Sequence, residues 1–174
     1  MILLEDTRQQ AGKHDIKHKW FEEHGIEIRR CCLYVGDYTL PANQSTCIDT
    51  KQDIGELIQD LQTDHARFRN ELLRAQEAGI KLYILIENDF QWISRTKKIF
   101  NNPVRKIEDL FGWQNPRAFI FKGGKQAYPN CAKGSWIAKT CMTMENKYGC
   151  KFVFCKPDES AETIIRILEG RYEL

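Results

Sequence analysis

Two short segments carry residue types that could do chemistry together: Gly36-Asp37-Tyr38 and Cys47-Ile48-Asp49-Thr50-Lys51, separated by Pro41-Ala42-Asn43-Gln44-Ser45. Side chains alternate along a strand, so Cys47, Asp49 and Lys51 share one face of the second segment and Ile48 and Thr50 the other. That spacing sets Asp49 and Lys51 side by side, roughly 7 Å apart at their Cα atoms. Cys32 to Val35 and Tyr38 to Leu40 also read as extended, and Pro41, Asn43 and Ser45 supply turn chemistry for a reversal that brings Asp37 near Asp49. Mg²⁺ (or Mn²⁺) is usually held by one or two carboxylates plus phosphate oxygens and water. A nearby lysine can orient a water or offset charge in a phosphoryl transition state. Two acids and a lysine in this arrangement suit a metal-dependent phosphodiesterase. Acid-any-lysine triplets are also common on solvated strand faces, so the pattern draws its weight from context.

The elements that must position these residues are legible in outline. Ile2 to Glu5 reads as an apolar strand ending at Asp6, with Arg8 just beyond. Ile16 and Trp20 sit at helical spacing within a helix over 14–23 that stops at Gly25, and 26–35 is extended. Positions 54, 57, 58, 61, 68, 72 and 75 trace a helical stripe, interrupted near Thr63-Asp64. Residues 81–87 form a buried central strand with Glu87 at its end, where acids of open α/β sheets face clefts. Farther on, 93–100 is predicted helical, Asn101-Asn102-Pro103 breaks it, 104–111 is a short helix, and 118–121 a strand before Gly123-Gly124. A helix over 136–148, a strand over 151–155 and a helix carrying Ala161, Ile164, Ile165 and Leu168 complete the chain. Strands alternating with helices imply an α/β sheet with helices against it.

In this order the opening strand, Gly36-Asp37-Tyr38, Asp49-Thr50-Lys51, the helix after it, Ala66-Arg67-Phe68 with Glu71, and the strand to Glu87 resemble the nuclease module of XPF-type structure-specific endonucleases, including the archaeal Hef-like enzymes. These form a branch of the restriction-endonuclease-like PD-(D/E)-x-K superfamily. The resemblance is densest over residues 2–89 and resumes at the final strand and helix. It implies an α/β fold with a restriction-endonuclease-like central mixed sheet flanked by helices, and a Mg²⁺-dependent DNA endonuclease acting on branched, flap or other structured DNA. It places catalytic roles on Asp6, Asp37, Asp49 and Lys51, metal ligation on Asp37 and Asp49, and a DNA-backbone contact on Arg67.

Four departures from the family pattern stand out. Asp49 replaces a Glu, shortening the carboxylate's reach by a methylene, and Thr50 replaces an Arg, removing a fixed charge and fork. Gln9 stands where a Glu is usual, and Glu56 matches a following acid only with a one-residue offset. These changes favour an alternative, a catalytically weak or inactive DNA-binding or assembly module of the same fold. A nucleotide-binding enzyme on a doubly wound sheet is a poorer fit, because no Gly-x-Gly-x-x-Gly follows the first strand.

The net charge of +2 hides an asymmetry. Residues 90–139 hold ten basic residues, among them Lys97, Lys98, Arg105 and Lys106, against two acids, Glu108 and Asp109. The remainder has 16 basic and 22 acidic residues. Such a segment suits phosphate-backbone binding, and with Arg8 and Arg67 these four are the expected DNA contacts. Trp92, Phe100, Phe111, Trp113, Phe119, Phe121, Tyr128 and Trp136 are interleaved with the charge. Exposed, they would stack on bases; the other reading makes them core and the lysines a solvated rim.

Length and composition suit one domain over 1–174, with no helix-hairpin-helix domain following it. Substrate choice then falls to the basic segment, a homodimer or a partner subunit. No run of 18 or more apolar residues and no basic-then-apolar leader occurs, so the expected place is intracellular, cytoplasmic or nucleoid-associated, without membrane contact. Seven cysteines form no Cys-x-x-Cys pair and read as reduced packing residues, with Cys31, Cys32 and Cys155 in strands. His14 and His18, four apart on a helix, lack the Glu of a zinc-protease helix and read as a solvated face. Gly123-Gly124-Lys125 lacks the rest of a P-loop and reads as a glycine turn. Glu87 is assigned a supporting role behind the metal ligands, or a second ion.

Overall fold

Apolar side chains on both faces of a strand demand cover on both sides, and residues 82–86 carry them at every position, all buried. In the computed structural model, which describes residues 1–8, 15–93 and 98–172, this strand lies inside a six-stranded sheet between two helical layers. The strands in chain order are β1 (Ile2–Asp6), β2 (Glu27–Cys31), β3 (Tyr38–Leu40), β4 (Asn43–Lys51), β5 (Lys81–Glu87), β6 (Gln91–Ile93), β7 (Lys98–Asn101), β8 (Phe121–Lys122), β9 (Lys125–Gln126) and β10 (Lys151–Cys155). The helices are α1 (Asp15–Glu23), α2 (Ile54–Gln62), α3 (His65–Glu77), α4 (Gly134–Tyr148) and α5 (Ser160–Leu168). The sheet order is β10-β5-β4-β3-β1-β2, with β3 antiparallel to both neighbours and every other pair parallel. It is the expected mixed sheet flanked by helices.

The alternation along β4 sorts the two layers. Cys47 belongs to the core that α2, α3 and α4 share with Leu82, Ile84 and Ile86, while Ile48 belongs to the core formed with Leu3, Tyr83, Leu85 and α5. Asp49 and Lys51 therefore point into the α2/α3 layer, as the period of two requires. Register pairs Asp49 with Ile84 and Lys51 with Ile86, placing both at the carboxyl end of parallel strands. The break near Thr63-Asp64 is real: α2 stops at Gln62 and α3 starts at His65.

Four local expectations are corrected. Ile16 is exposed, and α1 instead buries Phe21 and Lys17, whose ammonium pairs with Glu87. The extended run after Glu27 ends at Cys31, because the Leu33 amide turns back to the Asp6 carboxylate at 3.0 Å; Cys32 is exposed. Where a helix over 93–100 was expected, Gln91–Ile93 and Lys98–Asn101 pair as antiparallel strands, in keeping with the β preference of Trp92, Ile99 and Phe100. Pro116–Phe119 is a 3₁₀ turn whose Arg117 amide is capped by Asn115, so the strand begins only at Phe121. Gly123 and Gly124, at φ of 56° and 76°, then make the two-residue β8–β9 turn that left-handed backbone allows.

Candidate active site

Lys51 Nζ lies 2.7 Å from Asp49 Oδ2 and 2.6 Å from Asp60 Oδ2, and all three side chains are buried. Asp60 reaches the lysine from α2, and its second oxygen accepts a bond from the exposed Arg67 of α3 at 2.8 Å. The ammonium also stands 5.4 Å over the Phe68 ring. A relay of alternating charge thus runs Asp49, Lys51, Asp60, Arg67 from the interior to solvent. Burial works against the charge on Lys51, but Asp49 and then Asp60 outweigh it and hold the group above the ordinary lysine range. Asp49 goes the other way. Burial pushes its carboxyl well up, Lys51 opposes this, and the nearby charges of Asp37 and Glu71 reinforce it.

Asp37 arrives through a backbone crossing that only glycine permits. Gly36 has φ of 71°, and a Cβ there would fall 2.8 Å from the Ile48 carbonyl oxygen. The close approach lets the Asp37 amide donate to that carbonyl at 2.6 Å and places the Asp37 carboxylate where the Thr50 amide and hydroxyl both donate to Oδ2 at 2.7 Å. Thr50, standing where the resembled family has Arg, thus fixes one of the two acids. The Gly36 amide donates to Glu71 Oε1 at 3.0 Å, adding a third carboxylate beside Asp37 and Asp49. Gly36→Ala is expected to lose about 2–4 kcal/mol of stability, from the left-handed backbone and the clash together. Gly25→Ala, at φ of 66° with open space around it, should lose only the backbone part. Urea titrations of the two variants check this, and equal losses would contradict the close approach.

Asp6 adjoins the site, its amide donating to the Asp37 carbonyl at 2.8 Å, while its carboxylate is turned to other partners. Asp6 is buried and accepts bonds from the Arg8 amide and guanidinium at 2.6–2.8 Å and from the Leu33 amide. Burial alone would raise its carboxyl, but these bonds and the Arg8 charge bring it below the usual carboxylate value. Arg8 is correspondingly spent on Asp6. Glu87 lies across the sheet from Asp49 and Lys51, bonded to Lys17 and to the Ser160 hydroxyl at 2.8 Å, so the structure does not bring it behind Asp37 and Asp49. Arg67 turns to Asp60 and not to Glu71, four residues on along α3. Glu56 accepts from the Gln52 amide at 2.7 Å while Asp53 caps α2. Lys98, Arg105 and Lys106 are exposed, and Lys97 lies outside the described residues. Of the interleaved aromatics Trp113 is buried and Phe100 half-buried, whereas Trp92, Phe111, Phe119, Phe121, Tyr128 and Trp136 are exposed.

Asp60 was missed by sequence reasoning, although a signal existed. It falls between Leu57 and Leu61 on the buried stripe of α2, and a carboxylate there needs a cation facing it.

The donor set can be tested against a divalent ion. Among the described residues no group of three or more His, Cys, Asp or Glu side chains is arranged to hold a metal. Mg²⁺ needs less, one or two carboxylates completed by water and phosphate. Burial disfavours Asp49 as an anion, Lys51 opposes this, and the charges of Asp37 and Glu71 add to the cost. A divalent cation between Asp37 and Asp49 would compensate it, so the residues fit.

Residues 6–167 match the family described as the ERCC4 domain. Among solved structures the chain is similar to XPF from Aeropyrum pernix, at 15% identity and a TM-score of 0.61 over 98% of this chain and 64% of that one. It is also similar to XPF from Aeropyrum pernix in complex with DNA, at 14% identity and a TM-score of 0.59, covering 97% of this chain and 64% of the other. At such identities the likeness establishes a shared fold, and the chain spans about 64% of the length of these structures. No curated protein sequence matches the chain.

Proposed function

The chain belongs to the ERCC4-domain family, and on that premise we propose that it is a divalent-metal-dependent DNA endonuclease cutting phosphodiester bonds in branched, flap or otherwise structured DNA. The observation that supports this most is the placing of Asp49 and Lys51 side by side at the carboxyl end of parallel strands, with Asp37 fixed beside them by Thr50. Asp37 and Asp49 would hold Mg²⁺ or Mn²⁺, which supplies Lewis acidity toward the phosphoryl oxygens. Lys51, kept charged by its two carboxylates, offsets negative charge that develops on the phosphorus-bound oxygens as the new bond forms. Asp60 and Arg67 hold the lysine in place. The test is cleavage of labelled fork, flap, Holliday-junction, single-stranded and duplex DNA with Mg²⁺ and with EDTA.

A second reading, a catalytically weak or inactive DNA-binding or assembly module, is favoured by one observation: Lys51 is shared with Asp60 instead of being held by Asp49 alone. Failure to cut any of these DNAs while still binding them would select it. An intracellular place, and a second copy or partner subunit that helps choose the DNA, belong to the same proposal; among the described residues no helix is long and apolar enough to cross a membrane.

The basic segment is proposed to grip the phosphate backbone. The Asn88 side chain bonds both the amide and the carbonyl of Val104, at 2.6 and 3.0 Å, anchoring Arg105 and Lys106 beyond the end of β5. This is the end of the sheet at which Lys51 stands. Replacing Lys98, Arg105 and Lys106 together by Ala should weaken every DNA by a similar factor and flatten the salt dependence by up to ~0.9 in log–log slope per lost duplex contact. Anisotropy titrations over a salt series check this, and an unchanged affinity and slope would place the DNA elsewhere.

A further inference from the structure

A cleft of about 890 Å³ opens between α2 and the segment that follows β7. Its size falls in the roughly 300–1,000 Å³ range of built ligand sites. Its α2 wall starts at Gln52, the residue after Lys51, and is made by the helix face opposite the one that buries Leu57, Asp60 and Leu61, so the cleft lies on the outer side of the helix that covers the lysine. We propose that it seats unpaired nucleobases of a DNA strand leading away from the bond to be cut, a role that rests on the endonuclease reading.

The chemistry of the walls favours a base over a phosphate. Gln52, Gln59 and Gln62 of the α2 side line the cleft together with Asn130, neutral amides of the kind that read base edges, with the Gln59 amide nitrogen donating to Asp64 at 3.0 Å. Tyr128 is exposed, and the Arg117 guanidinium stands 5.6 Å from its ring centroid, forming a flat cationic-aromatic platform on the same side as Asn130. Such platforms stack unpaired bases with little sequence preference. The carboxylates in the α2 wall, Asp53 and Glu56, repel phosphate, so the backbone would follow the basic surface outside while the base enters.

The far wall is held rigid before any ligand arrives. The Asn115 amide donates to the Ala132 carbonyl at 3.0 Å and its oxygen accepts from the Arg117 amide at 3.0 Å. A Cβ on Gly134 would meet the Leu110 carbonyl oxygen at 2.0 Å, so α4 abuts the preceding 3₁₀ turn without slack. Paired bases stacked in a duplex have no face to offer such a cleft.

The test is anisotropy binding in EDTA to three labelled DNAs: a forked duplex with single-stranded arms, the same fork with abasic arms, and a blunt duplex. Wild type should prefer the base-bearing fork to the abasic fork. Tyr128→Ala should weaken the base-bearing fork about 5- to 150-fold while leaving the abasic fork and the duplex unchanged, and Tyr128→Phe should keep wild-type binding. Equal losses on all three DNAs, no loss at all, or a wild type blind to the abasic change would overturn the proposal. Mg²⁺-dependent cutting of the fork is read separately. Arm preference without cutting would sink the nuclease reading and leave the cleft standing, whereas cutting without arm preference would sink the cleft alone.

Discussion

Lys51→Ala is expected to lower folding stability by about 3–5 kcal/mol, because it strands the buried Asp49 carboxylate and leaves buried Asp60 with Arg67 as its remaining cation. Asp49 and Asp60 both lie within 2.7 Å of the ammonium, and neither side chain has water to turn to. Cleavage should fall by orders of magnitude in the fraction that remains folded, since the charge facing the phosphate is gone. Urea unfolding separates the two effects. Adding Asp49→Asn to Lys51→Ala should recover part of the stability and none of the turnover, because it removes the stranded charge without replacing the lysine. An unchanged unfolding midpoint in Lys51→Ala would show that the lysine is not the counter-ion of this pair.

The second large effect concerns Asp37 and Asp49. Either residue changed to Asn should abolish metal-dependent cleavage while leaving DNA binding largely intact, since a ligand is lost and no backbone contact is touched. Asp49→Asn should also change the pH dependence of the metal-free chain. Burial, with Asp37 and Glu71 adding to it, raises the Asp49 carboxyl well above its ordinary value. The folded chain therefore holds that proton more tightly than the unfolded chain does. Its contribution to stability is fully present below the unfolded value of about 4 and is lost as pH rises through the raised folded value. Asn cannot ionise, so the variant should gain on wild type as pH climbs. Thermal melts in EDTA across that range check this, and an offset between the two that does not change with pH would contradict it.

The parts of this fold that rest on local periodicity were open to reading from the sequence. The period of two along β4 put Asp49 and Lys51 on one face, and the continuous apolar run of β5 marked a strand covered on both sides. What stayed hidden depends on contacts between elements. Lys17 and Glu87 meet across 70 residues of sequence, so a lysine in the place of an apolar anchor on α1 and an acid drawn away from the cleft could not be foreseen. Asp60 meets Lys51 only because α2 folds back over the end of β4. The β6–β7 pair was mistaken for a helix because a short apolar run serves either period until a neighbouring strand pairs with it.

Mn²⁺ binding by calorimetry, with wild type beside Asp37→Asn and Asp49→Asn, tests most directly whether these two carboxylates hold a divalent cation. Wild type should bind the ion and melt at a higher temperature in its presence, and both variants should lose the binding and the shift together. Undiminished Mn²⁺ affinity in both variants, or no binding by a folded wild type, would contradict the account.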